Sequence, residues 1–346
     1  MLVSDFDFEL PDALIAQAPA PSRDEARMLV LDRTAGTRHA VVRNLPDILV
    51  PGDLVVVNDS RVIPARLLGH RIPSGGMVEC LLLGRLGDDR WDALVHPGQK
   101  LRAGALVQFG DGDARLEGEI LERRFHGRRV VRLVAPSGGD VESLIDRIGH
   151  VPLPPYIRRP DDTIDRERYQ TVYANRPGSV AAPTAGLHLT EDLLAALRQR
   201  DIEVVAVTLH VGYGTFKPVR AERVDDHAVD PEPFEIDATA ADAITLALAE
   251  HRRVVAVGTT TTRALEAAAA GGDGVRSGRG VADLFIRPGH QFQVVGGLLT
   301  NFHVPRSSLL MLVCALAGTP TVLSAYREAI AREYRFYSYG DCMLVV

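Results

Sequence analysis

The chain has 346 residues, 46% of them hydrophobic and 24% charged, with a formal net charge of −6. This length and composition fit about two ordinary globular domains and exclude a disordered or fibrous chain. The charge excludes a protein basic all over, but not a local basic patch.

The first residues, MLVSDFDFELPD, carry acids where a secretory signal would carry a basic and then an apolar stretch. DLVVVND, residues 53–59, is a continuous apolar run closed by Asn-Asp, the pattern of a buried strand. Residues 61–135 hold 13 Arg or Lys against nine Asp or Glu, so this stretch is locally positive within an acidic chain. It is also built of short alternating runs separated by Gly and Asp turns, which predicts a small β-barrel or sandwich. The first helix after it is expected over 141–148. Thr190, followed by EDLLAALRQR, has a capping hydroxyl and first-turn acids and starts a helix. Strands at 203–211 and 253–258 and in VADLFI then alternate with helices in TAADAITLALAEHRR, TRALEAAAA, SSLLMLVCALAG and VLSAYREAIAREY. Such alternation predicts a mainly parallel α/β sheet. The fold class expected is α/β: a discontinuous α/β domain, residues 1–65 and 148–346, with an inserted small β-barrel domain over 66–147. Hinges are expected near 61–66 and 150.

The longest apolar stretch, residues 309–318, is about half a bilayer span, so a soluble cytoplasmic protein without membrane contact is expected. Three cysteines, Cys80, Cys314 and Cys342, are too few and too dispersed for a disulfide framework or a metal knuckle. Of the 39 basic residues only Lys100 and Lys217 are lysines, a bias that coding composition accounts for and that also suits phosphate contacts.

Four segments carry candidate chemistry. In SVAAPTAGLHLT, residues 179–190, Pro183, Thr184 and Gly186 would let a ligand approach the backbone at a helix start. His188 beside it is a candidate base, or else a capping histidine. In TLHVGYGTF, a buried strand ends at His210 and runs into Gly212, Gly214, Thr215 and Phe216. Ligands of α/β sheets sit at the carboxyl ends of strands, although a lone Gly-x-Gly is also an ordinary turn. Gly258, Thr259, Thr260 and Arg263 lie between a strand and a helix, where hydroxyls and free N–H groups cradle a carboxylate or a ribose. Arg263 and Glu266 are equally spaced for a helix-surface pair. In LTNFHVPRS, Asn301 and His303 alternate onto one face of an extended segment before a Pro turn and a capping Ser307; an Asn amide pairs with adenine, although polar residues here also satisfy a turn's backbone. HExxH, Walker A, GxSxG and paired-Cys patterns are missing, and His227 with Asp230 lacks a third metal ligand.

Read together, NDSRVIPARL, GHVPLPPYI, PGSVAAPTAGLHLT, VTLHVGYGTFKPVR, VAVGTTTTRALE, LLTNFHVPRSSLLMLV and YRFYSYGDCML resemble the S-adenosylmethionine:tRNA ribosyltransferase-isomerase family of queuosine biosynthesis. The resemblance spans essentially the whole chain. It implies transfer and isomerisation of the ribosyl group of S-adenosylmethionine onto 7-aminomethyl-7-deazaguanine at the tRNA wobble position. Epoxyqueuosine-tRNA, adenine and methionine would be the products. S-adenosylmethionine would be consumed as a substrate, with no metal or cofactor, and the protein would be a monomer. His188 and His210 are then the candidate bases. Arg263 with the Thr259–Thr262 run would anchor the methionine carboxylate or ribose, Asn301 and His303 would hold adenine or the acceptor base, and Tyr156 and Phe216 offer stacking faces. The positive barrel segment is the first candidate for tRNA phosphates. The chain departs from the family pattern at Tyr213, Asp230, His290 and Gly296; Asp230, His290 and Gly296 motivate a competing reading, a diverged S-adenosylmethionine-using paralogue with another acceptor, and a third reading is a non-catalytic tRNA-binding protein with the barrel as its binding module.

Overall fold

A computed structural model describes residues 1–124, 127–136, 138–216, 219–272 and 274–346; the side chains of Thr215 and Phe216 lie outside the described residues. A nine-stranded sheet forms the larger layer. Its strands run in the order Gly278–Ala282, Glu232–Ile236, Glu203–Leu209, Leu54–Asn58, Val254–Val257, Val295–Asn301, Cys342–Val345, Arg27–Asp32 and Gly36–Val41. The apolar run at 54–57 explains the centre: buried on both faces, it pairs in parallel with Glu203–Leu209 on one side and Val254–Val257 on the other.

The period-2 geometry of a strand splits that run between two cores. Leu54 and Val56 face the helices Ala238–Ala249, Thr259–Ala268, Ser308–Ala317 and Thr319–Ala331. Val55 and Val57 face the helix Glu191–Gln199 through Leu193, Leu194 and Leu197. The caps read from the sequence close as expected: Thr190 accepts from the Leu193 amide and Ser307 from the Leu310 amide.

The sheet is less parallel than the alternation predicts. Its four central strands and the Arg27–Asp32/Cys342–Val345 pair are parallel, but both margins and the Val295–Asn301/Cys342–Val345 join are antiparallel. The strand in VADLFI also ends early, at Ala282. The carbonyls of Ala282 and Leu284 there turn to Arg263, at 2.6 and 3.3 Å, instead of continuing the ladder.

Between Arg66 and Val134 six strands close an antiparallel barrel around Leu67, Cys80, Leu82, Trp91, Phe109 and Leu133. The amphipathic helix Val141–Ile148 covers its end through Ile145. All three cysteines are buried and unpaired. Among the described residues no single helix is long and apolar enough to cross a membrane; Ser308–Ala317 and Thr319–Ala331 pass that test only together, across a 114° bend.

Candidate active site

The parallel strands Glu203–Leu209, Val254–Val257 and Val295–Asn301 all end at one rim, and a cavity of about 710 Å³ opens there. The place is the expected one for a ligand site on an open α/β sheet. Val211, Gly258 and Asn301, each just at or past a strand end, supply its floor. Pro183, Thr184, Thr259, Thr260, His303 and Tyr156 complete much of the wall, so eight of the predicted site residues meet here.

Asn301 organises one side. Its Nδ2 donates to the Tyr337 carbonyl at 3.0 Å and to Nε2 of His188 at 3.1 Å. A carbonyl can only accept, so the amide has one possible orientation. His188 must then present a lone pair at Nε2 and carry its proton on Nδ1. Among the described residues the Oδ1 of Asn301 has no partner, though it is buried on a residue that lines the cavity. An orphaned acceptor of this kind costs about 1–3 kcal/mol, which a ligand N–H or O–H would recover. Tyr337 supplies its carbonyl from a left-handed backbone (φ 71°), a conformation rare for a large side chain.

His303 organises the other side. Its Nε2 sits 2.9 Å from Oγ1 of Thr300, and its backbone N–H donates to the Tyr326 hydroxyl. The ring lines the cavity and Nδ1 makes no hydrogen bond among the described residues. A ring nitrogen held by a hydroxyl at one end and open at the other is the arrangement a general base requires. His188, by contrast, stands behind Asn301 and lines a separate small cavity. His210 points elsewhere: its ring packs against Gly178, its Nδ1 is buried without a partner, and only its neighbour Val211 reaches the main cavity.

The helix Thr259–Ala268 aims its N-terminus at the cavity, with Gly258 (φ 97°) turning the chain into it. Two of the four threonine hydroxyls are not free to cradle a ligand. Thr261 and Thr262 turn theirs back onto the carbonyls of Val257 and Gly258. Arg263 faces a second cavity, of about 610 Å³, which shares Thr260 and Leu309 with the first and is also lined by Gly214, His227, Asp230 and Glu232. Its guanidinium is engaged by protein acceptors: the Glu232 carboxylate and the carbonyls of Asp230, Ala282 and Leu284. Glu266 is not its helix-surface partner; that carboxylate is buried and gathers the amides of Gln293, Val294 and Val295.

The remaining predicted glycines act through space. A Cβ at Gly186 would lie 2.1 Å from the Tyr173 hydroxyl, and one at Gly214 would lie 2.4 Å from the Asp230 carboxylate. The Gly212 amide donates to Glu232 at 2.9 Å. The side chains of Thr215 and Phe216, expected at the site, lie outside the described residues. Thr300, Tyr337 and Ser338 belong to the site although the sequence assigned them no role; the aromatic density of YRFYSYG was the available signal. Of the family departures, Asp230 lines the second cavity and packs on the Gly214 backbone next to Tyr213. His290 and Gly296 line neither cavity. They flank the loop pinned by Glu266, with His290 Nε2 at 3.3 Å from that carboxylate. Among the described residues no group of three His, Cys, Asp or Glu side chains is placed to hold a metal ion.

Burial holds both cavity-side histidines neutral, lowering His188 to about 4 and His303 to about 3. Above pH 6.5 neither ring is protonated in the folded or the unfolded chain. Below it the unfolded chain takes up protons that the folded one refuses, so stability falls from pH 6.5 down to about 4 and 3. The loss is on the order of 3 kcal/mol per ring. Urea midpoints should therefore drop between pH 6.5 and 5, and His188→Gln should flatten that drop. An equal slope in wild type and variant would refute the assignment.

A model of the queuosine biosynthesis protein family matches residues 3–345. The S-adenosylmethionine:tRNA ribosyltransferase-isomerase of Heliobacterium modesticaldum is 52% identical over 348 residues, covering 100% of both chains. That of Halothermothrix orenii is 48% identical, again covering 100% of both. The crystal structure of S-adenosylmethionine tRNA ribosyltransferase from Thermotoga maritima superposes with a TM-score of 0.55 at 35% identity, covering 99% of this chain and 100% of the other.

Proposed function

The chain belongs to the queuosine biosynthesis protein family, and we propose that its main cavity is where an S-adenosylmethionine:tRNA ribosyltransferase-isomerase holds its sulfonium substrate. The protein is such an enzyme by its relatives' shared name over the full chain. The observation that carries the placement is the pairing of an open, oriented His303 with the orphaned Oδ1 of Asn301 in one cavity.

The sulfonium acidifies the adjacent 5′-carbon of S-adenosylmethionine. His303 Nδ1 accepts that proton and Thr300 steadies the ring. The aminomethyl nitrogen of the acceptor replaces adenine at the ribosyl C1′, adenine leaving with the proton the amine gives up, and the C1′–O4′ bond opens to leave an iminium. The ylide-like 5′-carbon bonds to that iminium carbon, and the freed O4′ closes the epoxide on the 5′-carbon by expelling methionine. Asn301 Oδ1 takes the exocyclic amine of adenine as its missing donor. The first amides of the helix at Thr259 and Thr260 receive the methionine carboxylate. Tyr156 and Tyr337, their ring centroids 4.6 Å apart, offer an aromatic wall for a nucleobase. The apolar remainder keeps water from the ylide.

Two substrates call for two subsites. The second cavity, joined to the first at Thr260 and Leu309, has Asp230 and Glu232 in its wall, and carboxylates suit the N–H donors and the aminomethyl cation of 7-aminomethyl-7-deazaguanine. Arg263 is here a positioning residue, holding Glu232 against the Gly212 amide. The barrel, with its own core and covering helix, we take as a domain inserted over residues 66–147 into the catalytic one, residues 1–65 and 148–346. With S-adenosylmethionine and tRNA bearing 7-aminomethyl-7-deazaguanine, adenine and methionine should appear in step with modified tRNA. Bound S-adenosylmethionine with no adenine on this tRNA would reject the acceptor and point to Asp230.

A further inference from the structure

A third cavity, of about 270 Å³, lies on the far side of Asn301 from the main one, sharing Ser338 with it and lined by Arg23, Arg168, His188 and Gly340. It is the smallest of the three cavities described. What distinguishes it is uncompensated charge. The Arg23 guanidinium donates to the carbonyls of Leu187 and Glu167, at 3.1 and 2.9 Å. That of Arg168 donates to the carbonyls of Ala20 and Pro21, at 2.6 and 3.1 Å. Arg335 beside them reaches only the Ala18 carbonyl. Among the described residues none of the three has a carboxylate within ion-pairing distance, and Nε of Arg168 is buried with no acceptor at all. The carboxylates nearby are engaged elsewhere or exposed: Glu167, which acts on Arg23, lies on the exposed side; Asp341, which acts on His188, is held by Arg27 at 3.0 Å; and Asp165, which accepts from the Tyr339 hydroxyl at the cavity wall, is held by Arg159 at 2.6 Å. Two half-buried guanidinium forks held only by neutral carbonyl oxygens form a site suited to an anion.

The barrel is different. Arg66, Arg85, Arg115, Arg128 and Arg132 each face a carboxylate, so much of the positive balance read from its sequence is neutralised locally.

We propose that Arg23 and Arg168 clamp a backbone phosphodiester of the acceptor RNA, at a linkage next to the nucleotide whose base enters the main cavity. The proposal rests on the tRNA-modifying function argued above. A base drawn into one cavity brings its own backbone to the rim, and this cavity lies one residue layer away, through Asn301 and His188. The paired forks match the two non-bridging oxygens of a phosphodiester.

The test uses the full chain and an anticodon stem-loop RNA, with binding read in the absence of S-adenosylmethionine over a salt series. Arg168→Gln should weaken RNA binding about tenfold and flatten the log–log salt slope by about 0.7, the share of one single-strand phosphate. The barrel controls Arg102→Gln and Arg123→Gln should change binding less than twofold. On the wild-type protein, RNAs carrying one neutral methylphosphonate at a time should lose affinity at a single linkage flanking the acceptor nucleotide. That scan decides the matter even if the variant fails to fold. A flat scan overturns the proposal. So does an unchanged salt slope, or an Arg168→Gln protein whose affinity for S-adenosylmethionine alone falls instead, which would give the cavity to the methionine carboxylate. Because RNA binding is read without turnover, adenine release with a flat scan removes only the clamp, and a positive scan without adenine release removes only the proposed reaction.

Discussion

Replacing His303 with glutamine should lower the single-turnover rate of adenine release by about 10²–10⁴-fold, the usual contribution of a positioned general base, while S-adenosylmethionine still binds. Glutamine can keep a polar contact with Thr300, so the loss reports the missing base more than a collapsed wall. His188 and His210 serve as internal comparisons. His188 touches the cavity only through Asn301, so His188→Gln should cost less, about 10-fold to 100-fold, by loosening Asn301. His210 faces Gly178, and His210→Gln should cost less still. The low pKa of His303, about 3, also has a kinetic consequence. The ring is already neutral at every physiological pH, so kcat/KM should show no acid limb near pH 6.5. If His188→Gln proved more damaging than His303→Gln, or if an acid limb at 6.5 disappeared with His210, the base would lie elsewhere.

Much of the architecture was legible because it rests on local patterns. Continuous apolar runs at 53–59 and 253–258 gave buried strands, since a strand covered on both faces needs no polar alternation; the run at 203–211 also gave a strand, but not a buried one, with Glu203 and Ala206 exposed. Thr190 and Ser307 announced helices by their capping hydroxyls. The ends of those strands also pointed to the right rim, where Gly258, Thr259, Asn301 and His303 meet. Other features were not legible, because they depend on contacts between distant segments. The ranking of three histidines turns on which ring faces open space, and no spacing rule carries that. Arg263 reads as a ligand anchor until Glu232, 31 residues earlier, takes its guanidinium. The Tyr337 carbonyl that orients Asn301 comes from a left-handed tyrosine, and left-handed backbone has a sequence signal only in Gly or Asn. The charge of residues 61–135 was counted correctly, but charge along a sequence does not show which arginines find carboxylates once the strands pair.

Asn301→Asp should reduce adenine release by about 10²–10³-fold, the range for losing one preorganised polar contact in a site, and should alter His188 in a way a merely packing role would not. The wild-type amide donates from Nδ2 to both the Tyr337 carbonyl and His188 Nε2. The aspartate has the same shape but only acceptors. One carboxylate oxygen would face the Tyr337 carbonyl, and the same edge would face the lone pair of His188. The conflict is relieved if His188 takes a second proton at Nε2, so its pKa should rise from about 4 toward or above neutral. Ring-nitrogen NMR shifts read this directly: a neutral Nδ1–H ring in the wild type at pH 7, a doubly protonated ring in the variant. Asn301→Ala separates the effects, since it removes the acceptor facing adenine without placing a charge beside His188. It should lose activity while His188 stays neutral. A His188 ring that carries its proton on Nε2 in the wild type would overturn the orientation assigned to Asn301. The buried, unpartnered Oδ1 acceptor would go with it, and so would the subsite proposed for adenine.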